Sequence, residues 1–256
     1  MKSAITISQV PEAAEGPFVL RSPLPEAFAS AAAIGFDAVE LFLPGPDFVP
    51  VDEVRALATA NKLAIAAVGT GAGMLRHGFS ITDPAPDRRE AAIEFVLAMI
   101  DFGGALKAPA ILGSMHVRRS AERAASHGVT FIYEPLNRYE TNLFNRLPDA
   151  ARFLDEQDLE NVVLLADLFH MNIEERDIPA AIREAGQHIG HVHFADSNRH
   201  AMGFGHTDAA PALAALREVG YAGYLSAEIL PLPDPESAAR QTIFSLRSLL
   251  SYFDTK

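Results

Sequence analysis

The sequence predicts an α/β protein folded as a (β/α)8 TIM barrel. Three observations carry that expectation. Short runs rich in β-branched and apolar residues alternate strictly with longer helix-like segments, and such alternation argues a parallel sheet. Eight of these runs occur within 256 residues, and eight units at about 250 residues are the size of a closed barrel. No GxGxxG follows any of them, which weakens the open, doubly wound sheet that is the alternative.

The elements follow in order. The first strand is Ala4–Ile7, and the helical pattern after it, Leu24–Ile34, runs into Gly35. Glycine suits the left-handed position just past a helix. Strand Ala38–Phe42 leads to helix Val51–Ala60, and strand Leu63–Val68 leads to helix Pro86–Phe102. The fourth strand, Ala110–Gly113, is followed by an irregularity: only Ser114 to Gly128 join it to the next strand, with Arg118–His127 as a short helix. The barrel is therefore expected to carry a shortened fourth helix. Val129–Tyr133 is the fifth strand. It stops at Glu134-Pro135, because Pro135 cannot donate a ladder hydrogen bond and drives Glu134 extended. Glu134 is thus expected at the strand's last position. Alternation puts Ile132 and Glu134 on one face, Phe131 and Tyr133 on the other. Helix Leu147–Glu156, strand Val162–Ala166, helix Ile178–Ala185, strand Gly190–Phe194, helix Asp208–Val219, strand Tyr224–Ile229 and helix Pro235–Tyr252 follow. No repeat, low-complexity tract or linker interrupts the pattern, so residues 1–256 read as a single domain.

Composition narrows the function. Hydrophobic residues make up 49%, enough for a substantial core, and there is no Cys. Disulfides and thiolate metal sites are excluded. The opening MKSAITISQV has no signal-peptide pattern, and no apolar run approaches the length of a membrane span. The expectation is a soluble cytoplasmic protein without a membrane partner. The net charge of -12 opposes phosphate-backbone binding, so no nucleic acid is expected either.

Four polar residues stand at or beside the C-terminal ends of the last four strands: Glu134, Asp167, His193 and Glu228. Their separations are 33, 26 and 35 residues, close to the repeat of roughly 31 of a barrel this long. They occupy equivalent positions in successive units and converge at the face where barrel active sites lie. Three carboxylates and an imidazole brought together need a cation. The set is hard and oxygen-rich, suited to Mn²⁺, Mg²⁺ or Co²⁺. Read singly, each has a plainer role: Glu134 as a cap or ion-pair partner, Asp167 as a helix cap, His193 as a core histidine. Four at one repeat favour the metal site. His191 shares the parity of His193 but lies a layer deeper, where it reads as a satisfied core histidine. Loops after barrel strands bind substrate, which makes Glu140, His170 and Arg199 candidate contacts.

The segments EPLNRYETN (134–142), DLFHMNIEE (167–175), HVHFADSNR (191–199), Gly203-Phe204-Gly205 with Asp208, and GYAGYLSAE (220–228) together resemble the xylose-isomerase-like barrel superfamily of sugar isomerases and epimerases. Within it the likeness is to ketose 3-epimerases of the tagatose and allulose type and to hydroxypyruvate-isomerase-like proteins. The first half of the chain matches more loosely, through Ile5–Val10 and Gly35–Phe42. The resemblance implies a Mn²⁺-type ion on Glu134, Asp167, His193 and Glu228, with Glu134 and Glu228 doubling as the acid/base pair. It also implies substrate contacts at Glu140, His170 and Arg199. The expected partners are a small-molecule sugar and further copies of the chain, as a dimer or tetramer. Two departures bear on the substrate: the short fourth helix, and the absence of any Trp, where relatives often line the sugar pocket with one. The same residues serve 3-epimerisation and aldose–ketose or hydroxypyruvate-type isomerisation, and a polyol dehydratase, which shares the proton-abstraction step, is a further alternative. An abasic-site endonuclease is disfavoured, because it needs a DxH pair where this chain reads Asp196-Ser197-Asn198-Arg199-His200.

Overall fold

The computed structural model describes residues 1–80, 83–112 and 117–254. Eight parallel strands close on themselves in sequence order: β1 (Lys2–Ser8), β2 (Ala38–Phe42), β3 (Ala64–Gly69), β4 (Ala110–Leu112), β5 (Phe131–Tyr133), β6 (Val162–Asp167), β7 (Ile189–His193) and β8 (Tyr224–Ala227). The ring is shut by β1 against β8, with Ala4 opposite Ser226 and Ile5 opposite Ala227. The expected barrel is thus present, and the open sheet is excluded.

Helices cover the outside: α1 (Leu24–Ile34), α2 (Val51–Asn61), α3 (Ala72–His77), α4 (Pro86–Ala105), α5 (Val117–Ser126), α6 (Leu147–Gln157), α7 (Leu168–Glu174), α8 (Ile178–Ala185), α9 (Ala209–Glu218) and α10 (Pro235–Asp254). Gly35 takes φ 101° just past α1, the conformation that glycine adopts without a Cβ penalty. The connection between β4 and β5 holds the ten-residue α5 against twenty residues in α4 and α10, so the fourth helix is short as expected. The expected end of the fourth strand at Gly113 lies outside the described residues. Among those described, no helix is long and apolar enough to cross a membrane.

Strand parity sorts the barrel. Phe131 and Tyr133 face outward into a large cluster with Leu154, Leu164 and Leu213. Ile132 faces inward, packed with Ala67, Ile111 and Leu165. One layer nearer the N-terminal ends, small residues, Ala4, Ala38 and Ala66, fill the interior. Two-residue steps then lead from the inner layer to the C-terminal rim: Ile132 to Glu134, Leu165 to Asp167, His191 to His193 and Ser226 to Glu228.

Two local expectations need correction. Glu134 is not the last residue of β5, which ends at Tyr133. It sits one position beyond, its N–H still donating to Leu112 O at 2.9 Å, so Pro135 ends the strand one residue earlier than expected. Two helices were not expected, α3 and α7, of six and seven residues. α7 follows β6 directly and α3 follows β3 after two residues; both are too short to print a 3.6-residue period.

Candidate metal centre and active site

The rim residues meet around the His193 imidazole. Its Nδ1 lies 3.3 Å from Asp167 Oδ2, 3.6 Å from Glu134 Oε1 and 3.8 Å from Glu228 Oε2. Glu134, Asp167 and His193 offer ligand atoms within 4.8 Å of one another. Glu228 stands outside that tight group, and its Oε2 accepts from Arg199 Nη2 at 2.5 Å. The four residues expected to converge do so. Asp167 serves two ends: Oδ1 accepts from Phe169 N at 2.7 Å and caps α7, while Oδ2 faces His193. One carboxylate thus caps α7 with one oxygen and turns the other to the candidate metal centre.

A residue missed by sequence reasoning lies beneath them. Glu40, in the middle of β2 and 3% exposed, accepts from Thr6 Oγ1 at 3.2 Å. Its Oε2 meets His191 Nε2 at 2.9 Å and His193 Nε2 at 3.4 Å. A histidine whose far nitrogen donates to a carboxylate presents its other nitrogen as a lone pair, the usual arrangement behind a metal-ligating imidazole. Glu40, His191 and His193 are also close enough to form a cation group of their own, but these hydrogen bonds account for their closeness. His191 is a satisfied buried histidine, as read. The signal for Glu40 was available: a carboxylate of inward parity inside the apolar run AVELF.

Charge in the site is balanced tightly. Burial pushes Glu40 up, but His193 and His191 outweigh it and hold its carboxyl well below the usual range. Burial likewise raises Asp167, and His170 and His193 overcome that. Burial disfavours a charged His193, yet Glu40, Glu228, Asp167 and Glu134 drive its pKa well above the ordinary value. Burial raises Glu228; Arg199 and His193 oppose the rise, while Glu134 and Asp167 add to it. The carboxylates thus gather positive charge at the spot where a cation would sit.

The donor set fits a divalent ion. Glu134 Oε1 is buried without a hydrogen-bond partner, and leaving such an atom unsatisfied is costly. The ligand atoms are carboxylate oxygens and one imidazole nitrogen, a hard set.

The substrate-contact candidates surround this centre. Glu134, Glu140, His193 and Glu228 line a cavity of about 730 Å³, whose other wall is apolar, with Phe42, Met74, Phe79, Phe95 and Tyr139. His170 is 1% exposed, with Nε2 at 3.8 Å from Glu134 Oε1 and 3.7 Å from Asp167 Oδ2. Arg199 bridges towards Glu140 (3.8 Å) and Glu228, with its guanidinium 4.9 Å from the Phe169 ring centroid. Its backbone is left-handed, at φ 60°. The loop that holds it is tied by Asp196, whose carboxylate accepts from Ser197 N, Gly203 N, Gly205 N and Thr207 N at 2.7–2.9 Å. A Cβ on Gly205 would stand 2.4 Å from Asp196 Oδ1, so only glycine lets that backbone approach.

The xylose isomerase-like TIM barrel family matches residues 28–249. The chain belongs to that family. The L-ribulose 3-epimerase of Mesorhizobium japonicum is 32% identical over 231 residues, 81% of this chain and 76% of that one. The 3-dehydro-D-guloside 4-epimerase of Escherichia coli K12 is 38% identical over 132 residues, where the match spans about half of each chain (51% and 50%). A solved L-ribulose 3-epimerase superposes with a TM-score of 0.80 at 26% identity, covering 98% of this chain and 95% of that one. The expected family is therefore the right one, and its named members here are sugar epimerases.

Proposed function

We propose that this member of the xylose isomerase-like family is a metal-dependent 3-epimerase of a small ketose. It is an isomerase-class enzyme, as its relatives are. One observation carries the finer reading: two glutamates, Glu134 and Glu228, line the same cavity from the ends of strands three places apart around the ring, with His193 between them at 3.6 and 3.8 Å. Two carboxylates so separated can take a proton from one face of a carbon and return one to the other.

The residues proposed to hold the ion are Glu134, Asp167, His193 and Glu228, with Mn²⁺ first and Mg²⁺ or Co²⁺ next. When bound, such an ion polarises the ketose carbonyl and offsets the negative charge that develops on the substrate oxygens. The side chains do the rest. Glu134 also lines the cavity, where the carboxylate oxygen left over from the ion would accept the proton beside the carbonyl. Glu228, raised by burial, is poised to carry the proton for the other face, and Arg199 keeps its carboxylate aimed. Glu140, His170 and Arg199 are proposed to bind the sugar hydroxyls. If the proton returns to the neighbouring carbon, the same pair performs aldose–ketose isomerisation. The proposed setting is a cytoplasmic single-domain barrel, 1–256, assembled as a dimer or tetramer, with no nucleic acid.

Incubation with fructose, tagatose, allulose or ribulose in D₂O tests this. Deuterium should enter at C3 with the epimer appearing alongside. Label at C1 or C2 with an aldose product would replace epimerisation by isomerisation, and no label from any ketose or aldose would sink the proton-transfer reading.

A further inference from the structure

We propose that Asn137 is the positioning residue of this site: it locks His170 in the Nε2–H tautomer and, with the same amide, holds Glu140. The bearing of this lock on substrate rests on the epimerase reading; the tautomer does not. Asn137 is 2% exposed. Its backbone N–H donates to His170 Nδ1 at 3.3 Å, and its Nδ2 lies 2.8 Å from the same nitrogen. The amide orientation is fixed independently. Oδ1 accepts from Tyr139 N at 2.9 Å, and Nδ2 donates to Glu140 Oε1 at 3.0 Å; the flipped amide would turn two donors on each other and two acceptors on each other.

Two donors therefore converge on His170 Nδ1. A nitrogen that accepts cannot carry the ring proton, so the proton is on Nε2. That Nε2 is buried and has no hydrogen-bond partner. It faces Glu134 Oε1 and Asp167 Oδ2 across gaps of 3.8 and 3.7 Å, too long for a hydrogen bond. Two consequences follow. His170 cannot ligate a metal, since its free nitrogen holds a hydrogen in place of a lone pair; Asp167-x-x-His170 supplies one ligand and one donor. And the N–H is an unused donor beside the proposed centre, matched to a hydroxyl or carbonyl oxygen of the substrate. The same residue aligns Glu140, whose backbone N donates to Asn137 O at 3.0 Å. Asn137 is thus a single hinge point for two contacts carried by different strands.

Histidine ring ¹⁵N spectra of the Mg²⁺-loaded protein, with His170 assigned through His170→Gln, read the tautomer directly. The wild type should show Nε2 protonated and Nδ1 bare; a proton on Nδ1 overturns the proposal. Asn137→Ala leaves only the longer backbone donor on Nδ1, so a measurable share of the Nδ1–H form should appear, and kcat/KM on the best ketose should fall roughly 3- to 10-fold, the worth of one hydrogen bond, with metal content unchanged. An unaltered ring and unaltered kinetics would remove Asn137 from the role. Asn137→Asp is the second variant: its carboxylate should draw a proton onto Nδ1, and retention of the wild-type tautomer there also overturns the lock. If the wild type exchanges hydrogen with no ketose, the epimerase reading falls while the ring spectrum still decides the tautomer.

Discussion

Single residues in this site work in pairs that the sequence separates widely. Glu40 and His191 are 151 positions apart yet share a 2.9 Å contact, and Glu40 also supports His193 from below. Removing its charge while keeping its shape, as in Glu40→Gln, should weaken Mn²⁺ binding about 10- to 100-fold; calorimetric titration giving wild-type affinity would reduce Glu40 to core packing. Glu228→Gln tests the other side. An amide can neither take nor give the proton, so turnover should fall about 10²–10⁴-fold on a sample whose metal content is measured alongside. Full turnover with full metal would end the two-glutamate mechanism. Glu134, Asp167, His193 and Glu228 were legible because a barrel repeats, and equivalent positions recur at one spacing. Glu40 breaks that pattern. It sits in mid-strand, and its partner lies across the ring, so the repeat misses it and only its inward parity marks it.

The elements divide the same way. Seven helices and every strand announced themselves through periodicity and punctuation, with ends shifted by at most three residues, such as β5 starting at Phe131 instead of Val129. The short α3 and α7 were silent, yet α7 is the one whose cap is a proposed ligand. The loop from Asp196 to Asp208 shows how an element without regular structure is held. Its organiser is one buried carboxylate taking four backbone N–H groups, and although burial raises the Asp196 pKa, the donors from Thr207, Ser197, Gly203 and Gly205 hold it below the usual value. The sign follows from linkage. The unfolded chain binds this proton more tightly than the folded one, so the stabilisation is complete above about pH 4 and is lost as pH falls through the lowered value. Asp196→Asn turns an amide NH₂ toward backbone donors and should cost about 2 kcal/mol at pH 7. The gap between variant and wild type should be full at pH 5 and shrink only as pH falls below about 4, through the lowered value; a gap independent of pH would mean that the carboxylate charge plays no part. Arg199 sits in this loop, with its N–H bonded to Asp196 O at 2.8 Å, so the same variant should also impair substrate binding with metal retained.

At the scale of the molecule, the barrel brings three carboxylates to one imidazole, a cost that a cation removes. Ion binding to the folded chain alone adds about 2.7 kcal/mol at a free concentration a hundred times Kd, and a chain of this size gains about 2–4 °C per kcal/mol. Thermal unfolding should therefore rise by about 5–10 °C with saturating Mn²⁺ and fall back with a chelator, and Asp167→Ala should abolish the difference. Equal midpoints for wild type with and without the ion would argue against a resident metal. The absence of tryptophan, so far only a departure from related sugar pockets, makes the protein optically quiet above the tyrosine band. Tyr139 lies on the cavity wall and is 82% exposed. Tyr139→Trp would place a lone indole at the mouth of the pocket, and its emission should shift as a ketose displaces water beside it, turning the enzyme into its own reporter of occupancy. An emission spectrum indifferent to saturating ketose would mean that the sugar never reaches that rim.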